Sequence, residues 1–132
     1  MKLPIRLSKD SREPIYHQIE KQLKALIAGG LLEQDTPLPS IRALSKDLEI
    51  SVITTRRAYQ NLEIGGFIKT IQGKGTFVAD VKDSLKQQVS ADAVYQAIEN
   101  AVETGVRYDY TTKQIEEIFK EVLTEFSTKE DK

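Results

Sequence analysis

Four cationic side chains between Leu38 and Val78 form the constellation in this 132-residue chain whose types and spacing suit a definite chemistry: Arg42, Arg56, Arg57 and Lys74. The guanidinium of Arg56 carries paired N–H donors that match the O6 and N7 acceptors of a guanine, and Val52 and Ile53, one helical turn earlier, suit contact with thymine methyl groups. Arg42, Arg57 and Lys74 suit phosphates or the edge of a groove. Gly73 and Gly75 flank Lys74 and leave room for backbone to approach a duplex closely. Enzymatic chemistry finds no comparable set. There is no Ser/His/Asp arrangement, no nucleotide loop and no carboxylate pair with perturbing surroundings. Lys74 in Gly-Lys-Gly-Thr lacks the remainder of a phosphate-binding loop. His17 is the sole histidine in a chain without cysteine, so no metal site or cofactor is expected.

Those side chains need elements to position them, and the local sequence supplies them. Pro39-Ser40 caps and opens a helix with Ile41, Leu44 and Leu48 on one face. Glu49-Ile50 leaves room only for a sharp bend. Ser51 is a suitable N-cap for a second helix, its hydroxyl able to accept from an otherwise unpaired backbone N–H near Thr54, and Gly65-Gly66 ends that helix. Thr55, Ala58 and Leu62 then face the preceding helix, while Val52, Ile53, Arg56 and Gln60 project the other way. Phe67–Ile71 and Thr76–Val78 read as strands joined by a turn at Gly73-Lys74-Gly75. Two short helices, a tight turn and a basic hairpin make the layout of a winged helix-turn-helix, in which the N-terminal end of the second helix meets base edges. Upstream, Pro14 opens a third helix with Ile15, Ile19, Leu23, Leu26 and Ile27 on its apolar side, ended by Gly29-Gly30. Residues 31–38 form a turn-rich connection expected to add a short strand to the wing sheet, and the first ten residues read as a loose arm. Tyr16, Tyr59, Phe67 and Phe77 read as packing residues rather than platforms for bases.

From Glu13 to Val78 the chain resembles the DNA-binding domain of the GntR family of bacterial transcription regulators, through PIYHQIEKQL, LPSIRALSKDL, SVITTRRAYQNLEIGGFI and GKGTFV. The resemblance implies DNA contacts at Arg42 of the Pro-Ser-x-Arg segment, at Ser51, Thr54 and Arg56, and at Gly73 to Gly75. With the residues singled out above, the expected DNA-facing set is Ser40, Arg42, Ser51, Val52, Ile53, Thr54, Arg56, Arg57, Gln60, Gly73, Lys74 and Gly75. Two departures stand out: Val52 occupies the place after the helix-opening serine where family members often carry arginine, and Gln34-Asp35 replaces the usual Pro-Gly turn.

A composition of 39% apolar and 30% charged residues is that of a globular domain with a short appendage. No apolar run approaches the ~20 residues needed to span a bilayer, and MKLPIRLSKDS lacks a signal-peptide core, so the expected location is the cytoplasm. The net charge of −1 divides unevenly: residues 1–80 hold 12 Lys+Arg against 9 Asp+Glu, and residues 81–132 hold 7 against 11. That asymmetry suits a duplex-facing module followed by one turned away from phosphate.

Beyond Asp80, Val89, Val94, Ala97, Ile98, Ala101 and Val102 follow helical spacing up to Gly105. Thr111 and Gln114 form a capping box for another helix, along which Ile115, Ile118, Phe119, Val122, Leu123 and Phe126 trace an apolar stripe opposite a glutamate-rich face. Two such helices cannot enclose a core alone. The simplest cover for the stripe is a second copy, with Val94, Ile98, Val102 and the six stripe residues at the interface; docking on the chain's own winged domain is the alternative. A homodimer would set two recognition helices about one DNA turn, roughly 34 Å, apart.

The expected architecture is therefore mainly α with a small β-hairpin wing: a winged helix-turn-helix over 1–80, its core spanning about 13–79, and a helical dimerisation region over 81–132. The tail resembles the short two-helix C-terminal region of the YtrA-like group of GntR regulators. This implies a dimeric repressor on a (pseudo)palindromic operator, with a transport system among the controlled genes, and it specifies no small-molecule effector. The competing reading is a winged-helix protein-interaction adaptor without sequence-specific DNA binding. Gathering Arg42, Arg56 and Lys74 around the recognition-helix end is needed only by the DNA binder.

Overall fold

The computed structural model describes residues 2–130, among which five helices and three short strands follow one another as α1 (Ile15–Ala28), β1 (Pro37–Leu38), α2 (Ile41–Leu48), α3 (Val52–Ile64), β2 (Ile68–Ile71), β3 (Gly75–Val78), α4 (Asp83–Arg107) and α5 (Thr112–Glu130). The mainly α architecture with a β wing is as the sequence predicts. Ile19, Leu23 and Ile27 line the inner face of α1 and meet Leu44 of α2 and Ala58 and Leu62 of α3 in one core, closed below the wing by Phe67, Ile68 and Val78. Burying each such aliphatic side chain contributes about 1.5–3 kcal/mol.

The helix-turn-helix angle is set by polar atoms as well. Ser45 Oγ has one proton to donate between Ile41 O and Thr55 Oγ1, each 2.7 Å away, and Thr55 donates to Ser51 O at 3.3 Å. Between the two helices Glu49 adopts a left-handed φ of 56°, and the Ile50 N–H closes the bend on Ser45 O at 3.0 Å. The sheet runs β1-β3-β2, fully antiparallel, with Leu38 opposite Thr76 and Ile68 opposite Val78. The segment over 31–38 thus does supply a wing strand.

Residues 2–10 are not a loose arm, and Met1 lies outside the described residues. Leu3 and Ile5 are 6% and 8% exposed within the core cluster, with Leu7 packed beside them. Two glutamines of α1 clasp the arm. Gln22 accepts from the Arg6 N–H at 2.9 Å and donates to Arg6 O at 2.7 Å, and Gln18 treats Ser8 the same way at 2.8 and 2.9 Å. A primary amide carries a donor and an acceptor side by side, so each glutamine satisfies one arm residue as a neighbouring strand would.

The N-terminal compact unit extends through Ala91. Val81 is buried, and Leu85 and Val89 in the opening turns of α4 pack against the winged-helix core. The second unit, from Asp92 onward, contains the rest of α4 and all of α5. Gly105 does not end α4, which continues to Arg107; the chain turns at Asp109, whose φ is 64°. The glycine serves packing instead, because a Cβ at position 105 would lie 2.7 Å from Cδ1 and Cγ1 of Ile115. Gly105→Ala should therefore loosen the α4–α5 hairpin despite alanine's better helix propensity, an overpacking cost of about 1–3 kcal/mol. Thermal unfolding followed at the α5 signal would register it, and a variant as stable as the parent would contradict the close packing. At the far end of the turn the Thr111–Gln114 box is formed reciprocally: the Gln114 N–H donates to Thr111 Oγ1 at 3.1 Å, and the Thr111 N–H donates to Gln114 Oε1 at 2.8 Å.

Candidate nucleic-acid interface

At the start of α3, the Thr54 N–H donates to Ser51 Oγ at 3.1 Å, and the two hydroxyls lie 2.8 Å apart. The cap satisfies an otherwise unpaired helix N–H and fixes where the helix begins. Thr55, Ala58 and Leu62 are wholly buried against the rest of the domain, which forces the opposite side of α3 outward. Ile53, at 76% exposure, and Arg56 and Gln60 stand on that outward side, whereas Val52 is half-buried. An isoleucine so exposed near the start of a helix has no role in the domain's own packing.

Ser40 caps α2 by accepting from the Ala43 N–H at 3.1 Å, and Arg42 follows it, exposed. Tyr59 of α3 holds this segment in place. Its hydroxyl donates to Pro39 O at 2.7 Å, and burial pushes the phenol well above its ordinary pKa range, so it stays a donor at all physiological pH. Sequence reasoning assigned Tyr59 to packing, which it does, with this additional hold on the residue before the α2 cap.

In the wing, Gly73 and Gly75 have φ of 80° and 125°, Lys74 bonds back to Ile71 O through its N–H at 2.9 Å, and its side chain is exposed. Glu63 near the end of α3 accepts from the Thr70 N–H at 3.2 Å, tying the wing to the recognition helix. Lys69, the other wing lysine, pairs with Asp35. Asp35 itself has a φ of 67° and so fills the conformation for which the usual Pro-Gly turn supplies glycine. Of the two wing lysines, Lys74 alone therefore enters no ion pair with another described residue. Open space surrounds the Cβ direction of Gly75, so Gly75→Val meets only backbone strain, about 1–2 kcal/mol. The variant should stay folded by circular dichroism yet bind duplex more weakly in a fluorescence titration, and unaltered affinity would remove the wing from the interface.

Arg57 lies over the ring of Tyr16 on α1, its Cζ 4.0 Å from the ring centroid. Sequence reasoning missed Tyr16 as a neighbour of the interface. In the second unit, Ile118, Val122, Leu123 and Phe126 are exposed, as are Val94 and Ile98 of α4, while Val102 and Phe119 are half-buried. Ile115 differs from the rest of its stripe: at 8% exposure it is spent within the unit, packed into the gap at Gly105. An apolar groove of about 480 Å³ runs between the two helices, lined by Ala101, Gly105, Tyr108, Tyr110, Ile118 and Val122 among others.

A capped, outward-facing helix set across a short partner helix and followed by a two-stranded wing that β1 extends to three strands defines a winged helix-turn-helix protein. Residues 15–78 fit the family described as "Bacterial regulatory proteins, gntR family". Over 108 residues the chain is 32% identical to the HTH-type transcriptional repressor YtrA of Bacillus subtilis (strain 168), covering 72% of this chain and 82% of the relative. It is 43% identical over 76 residues to the transcriptional repressor NagR of the same organism, there spanning 58% of this chain but only 31% of the relative. The solved structure of YtrA from Sulfolobus acidocaldarius, a GntR-family transcription factor, superposes with a TM-score of 0.56 at 33% identity, covering 72% of this chain and 97% of that one. The chain belongs to the GntR family, in its YtrA-like group, and is a DNA-binding transcription regulator.

Proposed function

We propose that the protein acts in the cytoplasm as a homodimeric repressor of transcription on a (pseudo)palindromic operator. The observation that carries this reading is the division of α3 into a fully buried face, Thr55, Ala58 and Leu62, and an outward face bearing Ile53, Arg56 and Gln60. Arg56 and Gln60 have the donors and acceptors to read base edges, and Val52 and Ile53 the apolar surface for thymine methyls. Arg42, Arg57 and Lys74 grip phosphates, and the capped helix starts at Ser40, Ser51 and Thr54 lie against the backbone, with Gly73 and Gly75 letting the wing approach.

Dimerisation is assigned to the exposed apolar side chains of the second unit, chiefly Ile118, Val122, Leu123 and Phe126 with Val94 and Ile98. A contiguous apolar stripe rimmed by glutamates and lysines is the composition of an interface rather than of a solvated helix. Similarity to YtrA and NagR, both transcriptional repressors, supports repression as the outcome.

The decisive experiment is sequencing of the duplexes that the protein selects from a random pool. The expected product is one inverted repeat with half-sites centred about one helical turn, roughly 10 bp, apart. A pool without enrichment would contradict sequence-specific binding, and enrichment of a single unrepeated half-site would contradict the dimer.

A further inference from the structure

We propose that Tyr16 is a positioning residue of the DNA interface, holding Arg57 so that its guanidinium grips a backbone phosphate beside the groove that α3 enters. The proposal rests on the DNA-binding reading above and adds to it a residue from α1, outside the helix-turn-helix and the wing.

Arg57 follows Arg56 directly, so the two side chains leave α3 about 100° apart and cannot read the same base. Arg57 leans to the side on which α1 packs against α3. There its Cζ lies 4.0 Å from the centroid of the Tyr16 ring, well within the ~6 Å over which a cation is attracted to an aromatic face. The geometry determines what Arg57 can still do. A guanidinium stacked on a ring engages its flat face and leaves the five N–H donors, which radiate in the plane, for other partners. None of those donors is spent on another described residue: Arg57 enters no ion pair and no side-chain hydrogen bond. Glu13, the nearest carboxylate along the chain to Tyr16, is occupied by Lys21 at 3.1 Å. Glu20, one turn further along α1, is nearly buried and reaches no ion-pair distance to Arg57.

An arginine that only stabilised the fold would be expected to turn its edge toward a carboxylate or a carbonyl. Arg57 instead lies over an aromatic ring with its donors unspent on the described residues, and it is exposed next to the outward side of α3. An in-plane fork of that kind suits two oxygens of one phosphate. Holding the fork before DNA arrives removes rotamer freedom that binding would otherwise have to freeze. Tyr16 itself is only half-buried and packs at the margin of the core, so the ring is available for this task.

The test is a set of titrations on the selected operator and on a random duplex at several salt concentrations, using the full chain with Arg57→Ala, Tyr16→Leu, Tyr16→Phe and the Arg57→Ala/Tyr16→Leu pair. Arg57→Ala should weaken both duplexes in parallel, roughly tenfold, and lower the salt slope of log K by about one per contact per monomer. Tyr16→Leu should weaken both by roughly two- to fivefold, and Tyr16→Phe, which keeps the ring, should restore parental binding. In the Arg57→Ala background, Tyr16→Leu should have no further effect. A Tyr16→Leu loss of the same size with or without Arg57 would make Tyr16 merely structural and overturn the proposal. So would an Arg57→Ala variant with unchanged salt slope while the parent binds normally. A parent chain that binds neither duplex would overturn the DNA-binding reading itself and this proposal with it, an outcome distinct from both.

Discussion

Ile118→Asp combined with Val122→Asp should yield a folded monomer whose operator affinity falls by about two orders of magnitude or more. Both side chains are half-exposed in the single chain, at 44% and 42%, so a carboxylate at either place remains solvated when the chain is alone. Within an interface each would lose its water without gaining a cation, a cost of several kcal/mol per ion. The pair of substitutions is thus asymmetric in its effect, severe for association and mild for the α4–α5 hairpin, whose close contact is made by Ile115 and Gly105 instead. The loss on the operator follows from tethering. A dimer places its second recognition helix over the second half-site at an effective concentration in the millimolar range, and avidity of about 10²–10⁴ disappears with the link. Light scattering should return a mass near the 14.9 kDa of one chain, with helical content retained. A dimer of unchanged mass would exclude the α5 stripe as the interface. Glu121→Lys on the opposite, charged face serves as a control and should change neither mass nor affinity.

Arg56→Ala should cost about 1–3 kcal/mol on the preferred operator and far less on random DNA, so that specificity falls more than affinity. Arg56 is exposed on the outward side of α3, and its removal leaves the buried face of Thr55, Ala58 and Leu62 intact. Lys74→Ala should behave differently. A wing lysine that meets phosphate contributes equally to every sequence, so both duplexes should weaken together and the salt slope of log K should drop by about one per contact per monomer. Titrations of each variant on both duplexes over a salt series separate the two roles. Parallel losses for Arg56→Ala would shift base readout to Val52, Ile53 and Gln60.

What was legible in the sequence is what local chemistry decides. Ser51 and Thr111 announce their helices because a cap is made within three residues, and Gly73 and Gly75 announce the wing because few other residues accept their φ. The buried face of α3 was likewise readable from the spacing of Thr55, Ala58 and Leu62. What escaped was set by partners distant along the chain. The arm looked loose because its anchors are side-chain amides 10 and 16 residues away, although the alternation of Leu3, Ile5 and Leu7 was a signal of a half-buried extended segment. Gly105 looked like a helix end because glycine usually is one; its real partner, Ile115, lies on the next helix. For the same reason Ile115 seemed to belong to the exposed stripe that it in fact supports from beneath. Tyr16 was assigned to packing because nothing in the spacing of α1 tells that Arg57 of α3 will lie across it.

The clasp of the arm by Gln18 and Gln22 has a kinetic meaning. It joins residues 10 and 16 positions apart, and chain segments of about that length meet in ~10–100 ns. Synthesis adds only about 5–20 residues per second. The segment from Leu3 through Ala28 can therefore sample its paired form before α3 is free to pack on it. Whenever the clasp is closed, one flank of α1 is covered, which narrows the choice of surfaces on which α3 can settle.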